Sequence, residues 1–247
     1  NMKENITGIV LGTVKHSDKH NVTNIYTRER GRIAFLTPAG SSKSSRQTMA
    51  RLQPLSIIEA QANISSTRDI HNLYSIVPMK VWRSIYYEPL KSTIALFLSE
   101  FLTRLLHDAP QEPRLWDFIA NSISVLDATI DRTLTANFHI TFLISMSYMM
   151  GIQPDLSGYQ DGMEFDMKSG IMVYPFNVLS PSSLRIDARH SAFLPTLARI
   201  NYANARYFRF SGKDRSELID SILKYYGLHF PGCDNLKSLD VLKEIFA

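Results

Sequence analysis

The sequence contains only one cysteine, Cys233, and no long uninterrupted hydrophobic run. A single cysteine excludes an internal disulfide and any zinc site built from several cysteines of this chain. The most apolar segment, residues 140–152, is interrupted by Thr and Ser and is too short to span a bilayer. We therefore expect it to form a buried helix. No signal peptide opens the sequence, which favours a reducing, cytoplasmic compartment.

Recognisable catalytic signatures are also missing. None of the seven histidines has the His-Glu-x-x-His spacing of a zinc enzyme, and there is no Gly-rich phosphate loop or Gly-x-Ser-x-Gly turn. Cys233 has no nucleophile motif around it. Asp161, Glu164 and Asp166 could bind a hard cation, which leaves a metal-dependent nuclease as a remote alternative. We predict a binding protein, not an enzyme, with no metal or other cofactor.

Positive charge is concentrated at the start of the chain. The 247 residues carry a formal net charge of only +4. Residues 1–80 contain 11 Lys and Arg against 5 Asp and Glu, whereas residues 81–247 contain 16 against 18. This asymmetry indicates a phosphate-facing module attached to a body with a different role.

The densest basic stretch runs from Tyr26 to Pro54 and contains only one acid, Glu29. Gly31 separates two short alternating runs, which predicts a hairpin, and the serine-rich segment after Pro38 predicts an exposed, mobile loop. With Tyr26 and Phe35 as possible stacking faces, the stretch suits a single-stranded nucleic acid. A solvated charged hairpin explains the same pattern. The basic residues are Arg28, Arg30, Arg32, Lys43, Arg46 and Arg51.

Alternating and β-branched residues predict five strands in the first 80 residues. Five short strands with a long third connection match a Greek-key barrel of the OB type, although other small barrels fit the pattern. The predicted strands are residues 6–15, 21–28, 31–39, 55–63 and 70–78.

After residue 80 the apolar period changes to three and four residues, which predicts helices. The fold class is therefore α+β, with an OB-type barrel in domain 1–80 and a helical domain in 81–247. Gly and Asp predict a small two-stranded insert at about residues 154–175, around Glu164–Asp166 and Ile171–Tyr174. The predicted helices cover residues 90–106, 116–129, 133–151, 180–187, 191–207, 214–226 and 238–246.

Several short motifs occur along the chain in a fixed order. The opening domain has a T-x-x-x-G hairpin, a Lys-Ser-Arg segment and an L-Q-P segment, and the helical part has a G-x-x-P-x-L end and a late L-K-S, the order found in RecO, a bacterial recombination mediator family. Here they lie at Thr27–Gly31, Lys43–Arg46, Leu52–Pro54, Gly151–Leu156 and Leu236–Ser238. The chain resembles RecO over nearly its whole length.

One feature departs from the pattern of many RecO proteins, which bind a structural zinc through two Cys-x-x-Cys pairs. The first pair would fall near Tyr159 and Gly162 and the second near residues 170–176, where this chain has no cysteine. We therefore expect no zinc in the insert. Packing of Tyr159, Phe165 and Tyr174 is expected to hold it together.

The resemblance implies a DNA repair accessory protein that binds single- and double-stranded DNA. It also implies binding to RecR and to the acidic, Phe-terminated tail of single-strand DNA-binding protein, loading of RecA, and annealing of strands. The expected location is the cytoplasm, with the nucleoid. The alternative is an adaptor whose OB-like barrel binds proteins and not DNA.

Site residues follow from this resemblance and from the charge pattern. A peptide that is acidic and ends in Phe needs an apolar pocket with cations at its rim. The predicted partner-binding residues are Arg104, Arg132, Arg199 and Arg206. The predicted DNA-binding residues are Lys15, Lys19, Arg28, Arg30, Arg32, Lys43, Arg46 and Arg51.

Overall fold

The computed structural model describes residues 3–177 and 180–246. Its first five strands close into a barrel in the order β1-β2-β3-β5-β4, in which β3 and β5 are parallel and the other neighbours antiparallel. This topology confirms the predicted OB-type barrel. The strands are β1 Lys3–Lys15, β2 His20–Thr27, β3 Gly31–Pro38, β4 Ile57–Asn63 and β5 Ile70–Pro78.

Side-chain alternation explains why these segments form strands around one core. In β4, Ile58, Ala60 and Ala62 are buried while Glu59 and Gln61 are exposed, as expected for a period of two residues. The strand β1 is long enough to pair with β4 through residues 3–9 and with β2 through residues 8–15. A register shift between Val10 and Gly12 bends this strand, so the sheet closes without a free edge.

The serine-rich segment is exposed as predicted, but from Lys43 onward it is helical, so its prediction as a loop throughout is wrong. Helix α1 covers Lys43–Arg51, and the Ser42 side chain caps it by accepting a hydrogen bond from the Ser45 backbone N–H. Met49 and Leu52 pack against the barrel core. The helix has no apolar stripe before Met49, so only the capping serine pointed to it in the sequence.

Two helices follow the barrel and pack with it, namely α2 Pro89–Leu105 and α3 Pro113–Ala128. The Trp116 indole N–H donates to the Tyr26 carbonyl at 2.9 Å. Asp127 of α3 accepts hydrogen bonds from the backbone N–H groups of Arg83, Ser84 and Ile85. These bonds anchor the segment between β5 and α2 on α3. The first compact unit consequently ends at Ala128 and the second begins at Thr129. The domain boundary that the sequence predicts at residue 80 concerns which part of the chain folds independently, and it stays a prediction.

The second unit combines helices with a three-stranded sheet in the order β7-β6-β8. The two-stranded insert is therefore present, extended by a third strand. Its strands are β6 Glu164–Asp166, β7 Ile171–Val173 and β8 Arg185–Ile186. Its helices are α4 Arg132–Met149, α5 Ala188–Ser191, α6 Leu194–Leu197, α7 Gly212–His229 and α8 Ser238–Ile245.

Two predicted helices are wrong. Residues 180–187 contain a short 3-10 turn and β8. Residues 191–207 contain the last residue of α5, the four-residue α6 and a 3-10 turn, joined by turns. Pro195 lies inside α6 and cannot donate a helical hydrogen bond. The Asn201 side chain accepts from the backbone N–H groups of Ala203 and Asn204, and this local bonding competes with a helix.

Helix α4 forms the centre of the second unit and confirms the predicted buried helix. Phe138, Phe142 and Leu143 in it are fully buried. The Tyr226 hydroxyl donates to the Leu143 carbonyl at 2.6 Å, so α7 is tied directly to α4. Among the described residues, no helix has the length and apolar content needed to cross a bilayer.

The insert contains no cysteine and is held by packing and by hydrogen bonds. Phe165 is buried and meets the Tyr225 ring edge-on, with 5.5 Å between centroids. Asp166 accepts hydrogen bonds from the backbone N–H groups of Lys168 and Ser169. Phe165 therefore packs as predicted, while Tyr174 stacks on the exposed Phe176 and Tyr159 is half-buried.

Substitution of Gly31 tests how tightly the β2–β3 turn is packed. Gly31 has φ of +75°, and a Cβ there would lie 2.5 Å from the Ala109 carbonyl oxygen. We expect Gly31→Ala to lower the free energy of unfolding by at least about 2 kcal/mol, measured by urea denaturation, because backbone strain and a clash add together. Gly40→Ala is the control, since its Cβ meets only Ser45 Oγ at 3.4 Å. Equal stability of the two variants would contradict the described packing.

Burial of His139 predicts a loss of stability in mild acid. Burial, together with the Arg215 charge, lowers the pKa of His139 from 6.5 to about 3. The folded state therefore favours neutral His139, and this stabilisation is present above pH 6.5 and is lost as the pH falls from 6.5 towards 3. Urea unfolding at several pH values should show this slope, and His139→Gln should reduce it. An unchanged slope in the variant would refute the assignment.

Candidate nucleic-acid interface and partner pocket

The β2–β3 turn does not present its arginines freely. Arg28 donates from Nε and one terminal nitrogen to both carboxylate oxygens of Asp117, at 2.9 and 3.1 Å, and this pairing lowers the pKa of Asp117. Arg30 Nε donates to Glu4 at 2.8 Å. Both side chains are about half exposed, but a phosphate would have to compete with an existing carboxylate partner.

Arg32 is held more firmly than its two neighbours. One terminal nitrogen donates to the His107 carbonyl at 2.8 Å, and burial lowers the pKa of the guanidinium. Its Nε is buried and makes no hydrogen bond within the described residues. The three arginines of the β2–β3 turn therefore bind groups of the same unit, namely Asp117 of α3, Glu4 of β1 and the His107 carbonyl after α2.

The opposite end of the β2–β3 hairpin carries a second set of cations. We call Lys15, Lys19, Lys43 and Arg46 the basic end. All four are exposed. Lys15 has one contact, at 3.5 Å to the fully exposed Asp18, and such a surface pair contributes little. For Lys19, Lys43 and Arg46, residues 3–177 and 180–246 supply no ion pair.

Backbone geometry brings the parts of the basic end together. His20 pairs with Pro38 at the end of the hairpin, and the Ala39 N–H donates to the Lys19 carbonyl at 3.1 Å. Helix α1 begins at Lys43, four residues after Ala39, so the chain passes from this end of the hairpin directly into α1. The β2–β3 turn lies about 24 Å away along the hairpin, at 3.4 Å per residue. Seven of the eight predicted DNA-binding residues are thus divided between two ends.

Arg51 and the predicted stacking aromatics occupy other positions. Arg51, in the last turn of α1, donates to the Ile76 carbonyl at 3.1 Å. Tyr26 and Phe35 are fully buried, so their assignment as stacking faces is wrong, and burial raises the pKa of Tyr26 to about 12. Tyr74 is partly exposed, with Lys3 Nζ 4.6 Å from its ring centroid. The alternating β5 sequence could have indicated this outward-facing aromatic.

The second unit contains an open pocket of about 410 Å³ with cationic and aromatic walls. Arg132 contributes from the first turn of α4, and Phe208 and Phe210 supply apolar surface. Among the residues that the structure describes, no Asp or Glu lines it. The lining residues are Arg132, Thr133, Ala136, Phe208, Arg209, Phe210, Ser211 and Arg215.

Of the four predicted partner-binding residues, only Arg132 lines this pocket. Arg104 lies on α2 in the first unit, and Arg199 and Arg206 lie on the exposed turns around the last 3-10 segment. The predicted set missed Arg215. The Phe-Arg-Phe alternation at residues 208–210, followed by a helix, was the available sequence signal.

Arg215 is the least solvated cation of the pocket. Burial lowers the pKa of its guanidinium. One terminal nitrogen approaches Asn137 Oδ1 at 3.4 Å, and Nε is buried without a hydrogen bond in the described residues. Arg209, by contrast, donates to Thr133 Oγ1 at 2.8 Å. An incoming carboxylate would supply the acceptor that Arg215 lacks.

The acidic residues of the insert do not form a metal site. Glu164 pairs with Arg185, Asp166 is used by its own turn, and Asp161 is exposed. Cys233 is fully buried, unlike an accessible nucleophile. These positions remove the structural basis of the nuclease alternative.

Two family models match consecutive parts of the chain. Residues 2–82 match "Recombination protein O N terminal" and residues 87–240 match "Recombination protein O C terminal". Both descriptions name recombination.

Curated relatives match over the full length. DNA repair protein RecO of Phocaeicola vulgatus is 36% identical over 249 residues, covering 100% of both chains. The Bacteroides fragilis protein of the same name is 34% identical, covering 99% of this chain and 100% of its own. That of Porphyromonas gingivalis is 31% identical, covering 96% and 97%. This chain therefore belongs to the RecO family of DNA repair proteins.

Proposed function

We propose that the protein is a recombination and repair mediator that binds single- and double-stranded DNA through the basic end of its barrel. The observation that carries the proposal is the exposure of Lys19, Lys43 and Arg46 on an OB-type barrel, without carboxylate partners in the described residues. The Lys19 carbonyl accepts from the N–H of Ala39, four residues before Lys43. A cation without a partner can contact a phosphate and release its counterions without first breaking an ion pair. The arginines of the β2–β3 turn lack this advantage.

Contacts to the phosphate backbone of DNA also suit the family's expected roles. Phosphate contacts position a strand without reading its sequence, and an annealing factor needs this property. In our proposal the protein acts with RecR and single-strand DNA-binding protein in the cytoplasm, at the nucleoid. It loads RecA indirectly and anneals complementary strands.

We assign the partner tail to the pocket around Arg132, Arg209 and Arg215. An acidic peptide that ends in Phe carries a terminal carboxylate and an aromatic ring. The pocket offers three guanidinium groups, two phenylalanine rings and no carboxylate in its lining. Its volume of about 410 Å³ is suited to a few side chains and not to a folded domain.

Paired substitutions at the two barrel ends test DNA binding. We expect Lys43→Ala with Arg46→Ala to weaken binding of a labelled single-stranded oligonucleotide at least about tenfold near 0.1 M salt. Loss of two phosphate contacts should also reduce the slope of log affinity against log salt by about 1.4. Fluorescence anisotropy across a salt series measures both quantities.

The matched control is Arg28→Ala with Arg30→Ala, which removes the same charge from the other end. We expect it to change affinity by less than about threefold, because these side chains already have carboxylate partners. Equal weakening by both pairs would refute the basic end as the site. If the wild-type protein does not bind at moderate salt, the protein-binding adaptor replaces DNA binding.

A peptide titration tests the pocket separately. The probe is a fluorescent peptide with the C-terminal sequence of the single-strand DNA-binding protein from the same organism. We expect Arg132→Ala and Arg209→Ala each to weaken its binding about fivefold or more, as for residues central to an interface. Arg199→Ala and Arg206→Ala are exposed controls and should have less than about a twofold effect. A peptide whose final Phe is replaced by Ala should bind poorly, and unchanged binding would exclude this pocket.

A further inference from the structure

A group of metal-ligating side chains lies in the second unit, outside the basic end and the Arg132 pocket. His190 belongs to α5, and Asp214 and Glu217 lie three residues apart in the first turns of α7, on one face of that helix. One potential ligand atom from each residue lies within 4.8 Å of the other two. Within the described residues, this is the only such group.

The imidazole is positioned as in a metal site. His190 is 92% buried, with a side-chain exposure of 8%. Its Nδ1 lies 2.8 Å from Asp187 Oδ2, and its backbone N–H also donates to Asp187 at 2.9 Å. Metal-bound histidines commonly donate their second ring N–H to a carboxylate, which directs the other nitrogen at the ion.

The second ring nitrogen faces the two carboxylates of α7. His190 Nε2 lies 2.7 Å from Glu217 Oε2 and 3.8 Å from Asp214 Oδ1. Nε2 makes no hydrogen bond in the described residues, since the Asp214 oxygen is too far away and the Glu217 oxygen, although close, is not in line with the ring nitrogen. If Nδ1 carries the proton for Asp187, a lone pair on Nε2 faces negative oxygens, and a cation bound between them would remove this repulsion.

We propose that His190 Nε2, Asp214 and Glu217 bind one divalent transition-metal ion, with zinc as the best match, while Asp187 holds the imidazole in position. Tetrahedral zinc with bonds of 2.0–2.2 Å separates neighbouring ligand atoms by about 3.3 Å. The two observed separations, 2.7 and 3.8 Å, lie on either side of this value. Small side-chain rotations therefore complete the site, and water supplies the fourth ligand.

Neighbouring charges favour cation binding. Three carboxylates surround His190, from Asp187, Asp214 and Glu217. They face the guanidinium of Arg189, which pairs with Asp214, and Lys213 Nζ, 3.9 Å from Glu217. With a neutral imidazole the group has one excess negative charge. Arg189 is 61% exposed and can leave Asp214 when a metal enters.

The ion would join α7 to the small sheet. Directly after His190, Ser191 accepts a hydrogen bond from the Phe165 N–H of β6 and donates to the Ile186 carbonyl of β8. A metal bound by His190 and the two α7 carboxylates would therefore fix the sheet relative to α7. Binding only to the folded state would raise thermal stability by mass action.

Calorimetry with zinc chloride tests this proposal on the tag-free full chain after treatment with EDTA. We expect one zinc ion per chain and a higher melting temperature in its presence. Glu217→Gln keeps the side-chain shape and should weaken zinc binding at least about tenfold. Asp220→Asn removes a carboxylate from the same helix outside the group, where it pairs with Lys243, and should bind zinc like the wild-type protein.

Three results would overturn the proposal. The first is no zinc binding by the wild-type chain. The second is equal zinc affinity in Glu217→Gln, which would indicate ions held by exposed histidines such as His16 and His20. The third is an NMR spectrum in which His190 is protonated on both nitrogens at pH 7 and does not change with zinc, because a proton would then occupy the position proposed for the metal.

Discussion

Closure of the barrel by β1 is the constraint on which the first unit depends. This strand pairs with β4 over its first half and with β2 over its second half, and the irregularity between Val10 and Gly12 lets it turn from one partner to the other. A closed barrel has no free strand edge. Further elements can therefore use only its two ends or its outer surface. The separation of the basic residues between the two ends follows from this limit.

The two ends of the β2–β3 hairpin have different roles. At the β2–β3 turn, Arg28, Arg30 and Arg32 bind groups of the same unit, so their charges contribute to folding. At the other end, Lys19, Lys43 and Arg46 remain exposed. Two groups of basic residues that look alike in the sequence therefore differ in the structure. One group is bound to other groups of the same unit, and the other is exposed to solvent. A basic stretch identifies a charged segment, but its partners determine whether the charge is available to a ligand.

The second unit depends on α4 in a comparable way. Its buried face receives α7 through Tyr226 and the segment at residues 205–208 through Asn137. This arrangement brings Arg132, which is far away in the chain, into one pocket with Arg209 and Arg215. Packing likewise brings His190 to the first turns of α7. Residue spacing could not indicate either group, because their members come from elements separated by connections of different length.

Local patterns in the sequence were sufficient for elements with a regular period. The five barrel strands, α2, the buried α4 and the β6–β7 hairpin each follow from alternation or from a three-to-four residue period. Local patterns failed where capping or side-chain bonding decided the backbone, as in α1 with its Ser42 cap and in the turns around Asn201. Periodicity supplied the fold class, which the structure confirms, and the family resemblance predicted a RecO repair protein, which the comparisons confirm as the family.

The sequence by itself determined that a five-stranded barrel precedes a helical part, that the first part is basic, and that the insert has no cysteine ligands. Only the tertiary structure decided which cations are available, which aromatic rings are buried, and which arginines share a pocket. The physical reason is that charge and periodicity are properties of a segment. Exposure and ion pairing depend on groups brought from distant parts of the chain.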